Sequence, residues 1–221
     1  MGQGLYLDRR IMIEDIIRRV LSMAPGTRKI NQDLAVMRQI IKPIQDRLIP
    51  FQAEKEIEIM SLQLDLKSHK QGLDKILSGT IQSIYYEPMV AFTYKDYIKG
   101  VREALLCCRT SHHELIYRIK KHEVDVYMNG SQAAVIDQHD VMHGLRSKKP
   151  LGRIRPYSND LLSVIINERE VGQLFNPLRP HTHQQRAFSL IATLDDEEEA
   201  IFMALSLYEI LTRVLENKRK K

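Results

Sequence analysis

Between Ala200 and Leu211 the only polar residues are Ser206 and Glu209. Ile201, Phe202, Met203, Leu205, Leu207, Tyr208 and Ile210 therefore point in every direction around a helical axis. A helix that is apolar all round has to be buried all round. Asp195, Asp196, Glu197, Glu198 and Glu199 precede the run, acids suited to the positive end of a helix, with Thr193 or Asp195 as cap. Lys218, Arg219, Lys220 and Lys221 suit the negative end. The apolar run is too short and too flanked by charge to cross a bilayer, which takes about 20 apolar residues. The segment from Asp195 to about Leu215 is thus predicted to be a core helix, wrapped by the strand-like residues that come before it.

Ahead of it the chain changes grammar once. Residues 1–78 read as a helical arm. Ile13, Ile16, Ile17, Val20 and Leu21 form one stripe, stopped by Ala24-Pro25-Gly26. A second stripe begins near Asn31 and runs through Leu34, Met37, Ile41, Ile44, Leu48 and Phe51, with Pro43 predicted to kink it and Pro50 to end or bend it. A third, Ile59, Leu62, Leu66, His69, Leu73 and Ile76, closes at Ser78-Gly79. Leu62, Leu64 and Leu66 also alternate as a strand would, but the Glu, Lys, Gln and Leu content favours helix. These seams either pack within the chain or form a short coiled coil that makes it a homo-oligomer.

From residue 79 to 221 the pattern is that of a β domain closed by the core helix, giving an α+β fold class. Ile81, Ile84 and Tyr85, then Val90, Phe92 and Tyr94, read as strands, and Val101 to Cys108 as a short linking helix. Leu115, Tyr117 and Ile119 alternate, and Val124, Val126 and Met128 lead into Asn129-Gly130, the strongest hairpin turn in the chain. Leu162, Val164, Ile166, Asn167, Val171, Gly172 and Leu174 repeat Val124, Val126, Met128, Asn129, Ala133, Ala134 and Ile136 at one constant offset without a gap. Leu151, Gly152, Arg153 and Ile154 repeat the returning apolar-Gly-x-apolar unit. Such a repeat predicts a meandering antiparallel sheet of similar hairpins, its small residues admitting a bulky neighbour or another backbone. Phe188, Leu190 and Ala192 form the last strand.

This rhythm of hairpins, with a final strand and an all-round apolar helix from Phe188 to Leu215, resembles the tubby C-terminal-like superfamily, which includes tubby, phospholipid scramblases and LURP-one-related proteins. The resemblance spans residues 79–221 and implies a β-barrel enclosing the helix. It also implies association with membranes or phosphoinositides through basic surface residues. The chain departs from the family's pattern in a segment short for a full barrel, without a calcium-binding acidic cluster or a spanning tail, which sets scramblase activity aside. A small PH-like barrel capped by a helix is the alternative fold, although its helix is ordinarily amphipathic.

Composition sets few limits on function. Thirty-three Lys and Arg against 28 Asp and Glu leave a net charge of +5, compatible with an anionic partner. The two cysteines, Cys107 and Cys108, are adjacent, which disfavours a structural disulfide and offers no metal pair, so a reducing, cytoplasmic setting is expected. Asp8, Arg9, Arg10, Glu14 and Asp15 interrupt any secretory signal, and Tyr6 stands where a myristoylation motif wants Ser or Thr. The densest basic stretch outside the C-terminus is Arg146, Lys148 and Lys149 with Arg153 and Arg155, a candidate for phosphate-bearing lipid headgroups. Nucleic acid finds little support, because only Tyr157 lies near these cations. His181 and His183, with Asp137, His139, Asp140 and His143, match no metal-ligand spacing, and no catalytic motif is present. The leading expectation is a non-catalytic, cofactor-free module peripheral to a membrane and binding anionic phospholipid. An oligomeric scaffold working through the N-terminal helices is second, and a metal-dependent hydrolase using the His and Asp loops third.

Overall fold

The computed structural model describes residues 26–50, 57–71, 74–97, 103–180, 182 and 185–220. Twelve antiparallel strands follow one another in a single meander, each hydrogen-bonded to its sequence neighbours. They are β1 (Met60–Gln71), β2 (Asp74–Ser83), β3 (Pro88–Asp96), β4 (Ala104–Arg109), β5 (Glu114–Ile119), β6 (Val124–Met128), β7 (Ser131–Ile136), β8 (Val141–Gly144), β9 (Pro150–Pro156), β10 (Leu161–Ile166), β11 (Arg169–Phe175) and β12 (Phe188–Leu190). The sheet curls until its ends nearly meet. Ser61 bridges Arg186, Ala187 N donates to Met60 O at 2.7 Å, and Leu190 N donates to the Glu58 carboxylate at 2.7 Å. Drawing the two edges together in this way reduces the exposed edge that invites aggregation.

Two α-helices complete the described chain, α1 (Thr27–Gln45) and α2 (Asp196–Lys220), beside one short 3-10 turn at Ile57–Ile59. α2 is the expected core helix. Every residue from Ile201 to Tyr208 is buried, and one apolar cluster joins these side chains to inward-facing residues of the sheet from Met60 to Phe188. Asp195 Oδ1 accepts the Glu198 N–H at 2.8 Å, while the Glu198 carboxylate reaches back towards Asp195 N at 3.5 Å, the reciprocal arrangement of a capping box. Inside, the Tyr117 hydroxyl donates to Ala204 O at 2.8 Å, and Phe188 meets Phe202 edge to face at 5.2 Å.

α1 lies on the outside. Its Ile30, Met37 and Ile41 pack on Ile76, Ala91, Leu105, Cys107 and Ile116, residues of β2 to β5 whose side chains point away from α2. A buried ion pair, Lys95 to Asp33 at 2.8 Å, and the Arg38–Glu114 pair at 2.6 Å fasten it. The stripe on the second predicted helix is thereby occupied within the chain. α1 starts at Thr27 rather than near Asn31 and stops at Gln45, soon after Pro43, so the helix is shorter than the stripe read as far as Phe51.

Two helix readings need correction. The third helix, read from Ile59 to Ile76, is the β1–β2 hairpin, so the sheet begins at Met60 and the boundary placed at 78/79 falls inside β2. The alternation of Leu62, Leu64 and Leu66 was the better signal. Composition is a poor guide here, because the far end of β1, Lys67 to Lys70, is exposed and solvent rather than packing sets which residues it carries. Of the segment Val101 to Cys108 read as a helix, residues 104–108 belong to strand β4 (Ala104–Arg109) instead, and 101–102 lie outside the described residues. With α2 on one side and α1 on the other, β4 is buried on both faces and its sequence loses the period of two. The first predicted helix, on Ile13 to Leu21, lies outside the described residues.

The repeated hairpins are present in the expected register. Asn129 and Gly130 have φ of 50° and 85°, and Asn167 and Glu168 have φ of 48° and 64°, the two left-handed residues of a type I′ turn in each case. Glu168 is the costlier choice, because a Cβ in that region costs roughly 1 to 2 kcal/mol. Glu168→Gly should therefore stabilise by about 0.5 to 1 kcal/mol after the added flexibility of the unfolded chain is deducted. A higher urea midpoint at unchanged slope is the expected reading.

Candidate anion-binding surface

β9 is the element that organises the basic residues, and Gly152 fixes which way it faces. A Cβ on Gly152 would lie 2.9 Å from Leu205 Cδ1 and 3.3 Å from Ile201 Cγ2, so residue 152 points at α2. Alternation then turns Arg153 and Arg155 to the outer wall. They stand on a sector that α1, packed over β2 to β5, does not cover. Arg146, Lys148 and Lys149 are exposed in the loop between β8 and β9, and Arg155 is also exposed. The loop is folded on itself. Lys148 N donates to Gly144 O at 2.9 Å, Gly144 N to Lys149 O at 3.1 Å, and Lys149 N to Ser147 Oγ at 3.2 Å, holding Lys148 at φ 51°.

The five cations make a stripe, not a pocket. Arg153 and Arg155 are two residues apart on one strand face, about 6.7 Å, and Lys149 to Arg155 spans about 20 Å. Among the described residues none of the five side chains has a carboxylate partner, whereas Lys95, Lys120, Arg169 and Arg213 all do. A hollow beside Arg153, lined by Val141, Pro150, Gly152, Ile165 and Glu168, holds about 60 Å³. Sites that enclose a small ligand measure roughly 300 to 1,000 Å³.

The structure adds a pair that sequence reasoning did not connect to this loop. His143 Nε2 lies 2.9 Å from Asp137 Oδ2, and its Nδ1 lies 3.3 Å from the Lys148 carbonyl oxygen. Partial burial pushes the Asp137 carboxyl up. The Val141 N–H, the His143 ring and the His139 N–H outweigh that and hold it below the ordinary carboxylate range. The sequence signals neither contact, since Asp137 meets His143 only through the β7–β8 register.

Other candidate chemistry is not assembled. His181 and His183 lie outside the described residues, and among those described no three His, Cys, Asp or Glu side chains converge as metal ligands would. Cys107 and Cys108 are buried, and burial pushes the Cys107 thiol up to about 12, so neither presents a reactive thiolate. No described helix is long and apolar enough to cross a membrane. The molecule is thus an α+β protein in which a nearly closed antiparallel sheet surrounds its C-terminal helix. Comparison with protein-family models, with curated proteins and with solved structures gave no match.

Proposed function

We propose that this chain is a non-catalytic module that attaches peripherally to anionic phospholipid surfaces, and that it is a distant member of the tubby C-terminal-like group. The observation that carries the reading is the stripe of Arg146, Lys148, Lys149, Arg153 and Arg155, whose charges have no carboxylate partner among the described residues. Cations already paired with carboxylates contribute little to an outside anion, whereas each unpaired Lys or Arg near an anionic bilayer contributes about 1 kcal/mol. Spread over about 20 Å without an enclosing pocket, the stripe suits several headgroups at once rather than one polyphosphorylated headgroup. The recognition is therefore of surface charge.

Co-sedimentation with phosphatidylglycerol-containing vesicles tests this. The parent should bind them, release them as salt rises, and leave phosphatidylcholine vesicles unbound. Changing Arg146, Lys148 and Lys149 together to Ala should weaken binding about 100-fold. Equal binding by the variant would remove the loop from the reading. No binding by the parent would leave a protein-interaction scaffold ahead of it.

A further inference from the structure

We infer that His143 is a proton-operated clasp on the cationic loop, so that attachment to anionic lipid strengthens as the ring gains its second proton. The effect on attachment rests on the anionic-lipid reading above; the clasp itself does not. Both atoms that the ring nitrogens face are acceptors, the Asp137 carboxylate and the Lys148 carbonyl oxygen. A neutral imidazole has a single N–H and offers a lone pair at its other nitrogen. The charge-assisted bond to Asp137 is the stronger of the two, so a neutral ring keeps its hydrogen on Nε2. Nδ1 then turns a lone pair towards the Lys148 oxygen, 3.3 Å away. With a second proton from solvent, Nδ1 donates there, and the ring ties the end of β7 to the loop through two hydrogen bonds.

The surroundings set the sign. Asp137 is the anion that faces the ring, and His139 and Asp140 are the other titratable groups of the β7–β8 turn. On β7 and β9 the residues opposite His143 are Val135 and Pro150, neither charged. The nearest charge on β9 is Arg153, which pairs with Val141. Arg146, Lys148 and Lys149 complete the set from the loop. Glu168 lines the hollow beside Arg153 and Pro150 as a further anion. A protonated ring adds one positive charge beside the loop cations, whose side chains have no carboxylate partner among the described residues. An anionic surface that neutralises those cations favours that charge in turn, and by linkage proton and lipid each strengthen the binding of the other.

Imidazoles in general change charge across the range from about pH 5 to pH 8. With vesicles of phosphatidylglycerol and phosphatidylcholine, whose phosphates stay ionised throughout, the full chain should bind at least about fivefold more tightly at about pH 5.5 than at about pH 7.5. His143→Gln, neutral at both, should retain no more than about a twofold difference, with an unchanged melting temperature showing that it folds. In lipid-free protein, NMR should show the Lys148 and Lys149 amides shifting in step with the His143 ring, and in His143→Gln no such shift. A parent that binds without pH dependence, or a variant with the full dependence, overturns the inference. If the parent binds no vesicles at either pH, the lipid reading fails separately. The amide titration then decides the clasp, which is overturned if Lys148 and Lys149 do not follow the ring.

Discussion

A chain with aspartate in place of Leu207 is expected to give no folded protein. Leu207 is completely buried in the middle of α2, and its neighbours from Ile201 to Tyr208 are buried with it, so the new carboxylate has no route to water. An unpaired buried charge costs several kcal/mol, and a domain of ordinary stability has only about 5 to 15 kcal/mol to lose. Protonation relieves part of this and leaves a buried, unpaired carboxylic acid among apolar side chains. Leu207→Ala is the companion variant, because it removes volume without adding charge and should cost about 2 to 5 kcal/mol while leaving a native fold. Far-UV circular dichroism with thermal melting separates the two. An aspartate variant that melts like the parent would end the core-helix account.

How much was legible in the sequence depends on whether a residue's surroundings came from its own strand or helix. α2 was legible because its composition admits one environment, an apolar one on all sides. The hairpin at Asn129-Gly130 was legible because a type I′ turn is a local demand on two residues, and the one at Asn167-Glu168 because its strands repeat the first hairpin at a constant offset. β4 was not, because α1 buries its outer face and erases the alternation by which a strand announces itself. β1 and the start of β2, as far as Ser78, were misread, and for β1 the reason is the opposite one, since much of it is exposed and little packing restrains its composition. The cationic residues were found as a run, but not their arrangement. Only the register of β8 against β7 brings His143 to Asp137, and only the folding of residues 144–149 brings the Lys148 carbonyl to the ring.

Gly152 connects the sheet pattern to the helix, and a double-mutant cycle with Leu205 should show it. The Cβ of Gly152→Ala would meet Ile165 O at 2.8 Å and Leu205 Cδ1 at 2.9 Å. The first neighbour is backbone of the paired strand β10 and cannot swing aside, while the second is the end of a side chain and can. Overpacking of this kind costs about 1 to 3 kcal/mol. Leu205→Ala alone, from a position 3% exposed, should cost about 2 to 5 kcal/mol through lost transfer energy and the cavity left behind. In the double variant the new methyl enters space that Leu205 has vacated, so the two costs should fall short of their sum by about 0.5 to 3 kcal/mol. The clash with the Ile165 carbonyl remains, which keeps Gly152→Ala destabilising even in the Leu205→Ala background. Urea unfolding of the four proteins measures the coupling. Strict additivity would mean that β9 does not press its glycine against α2, and the outward assignment of Arg153 and Arg155 would lose its basis with it.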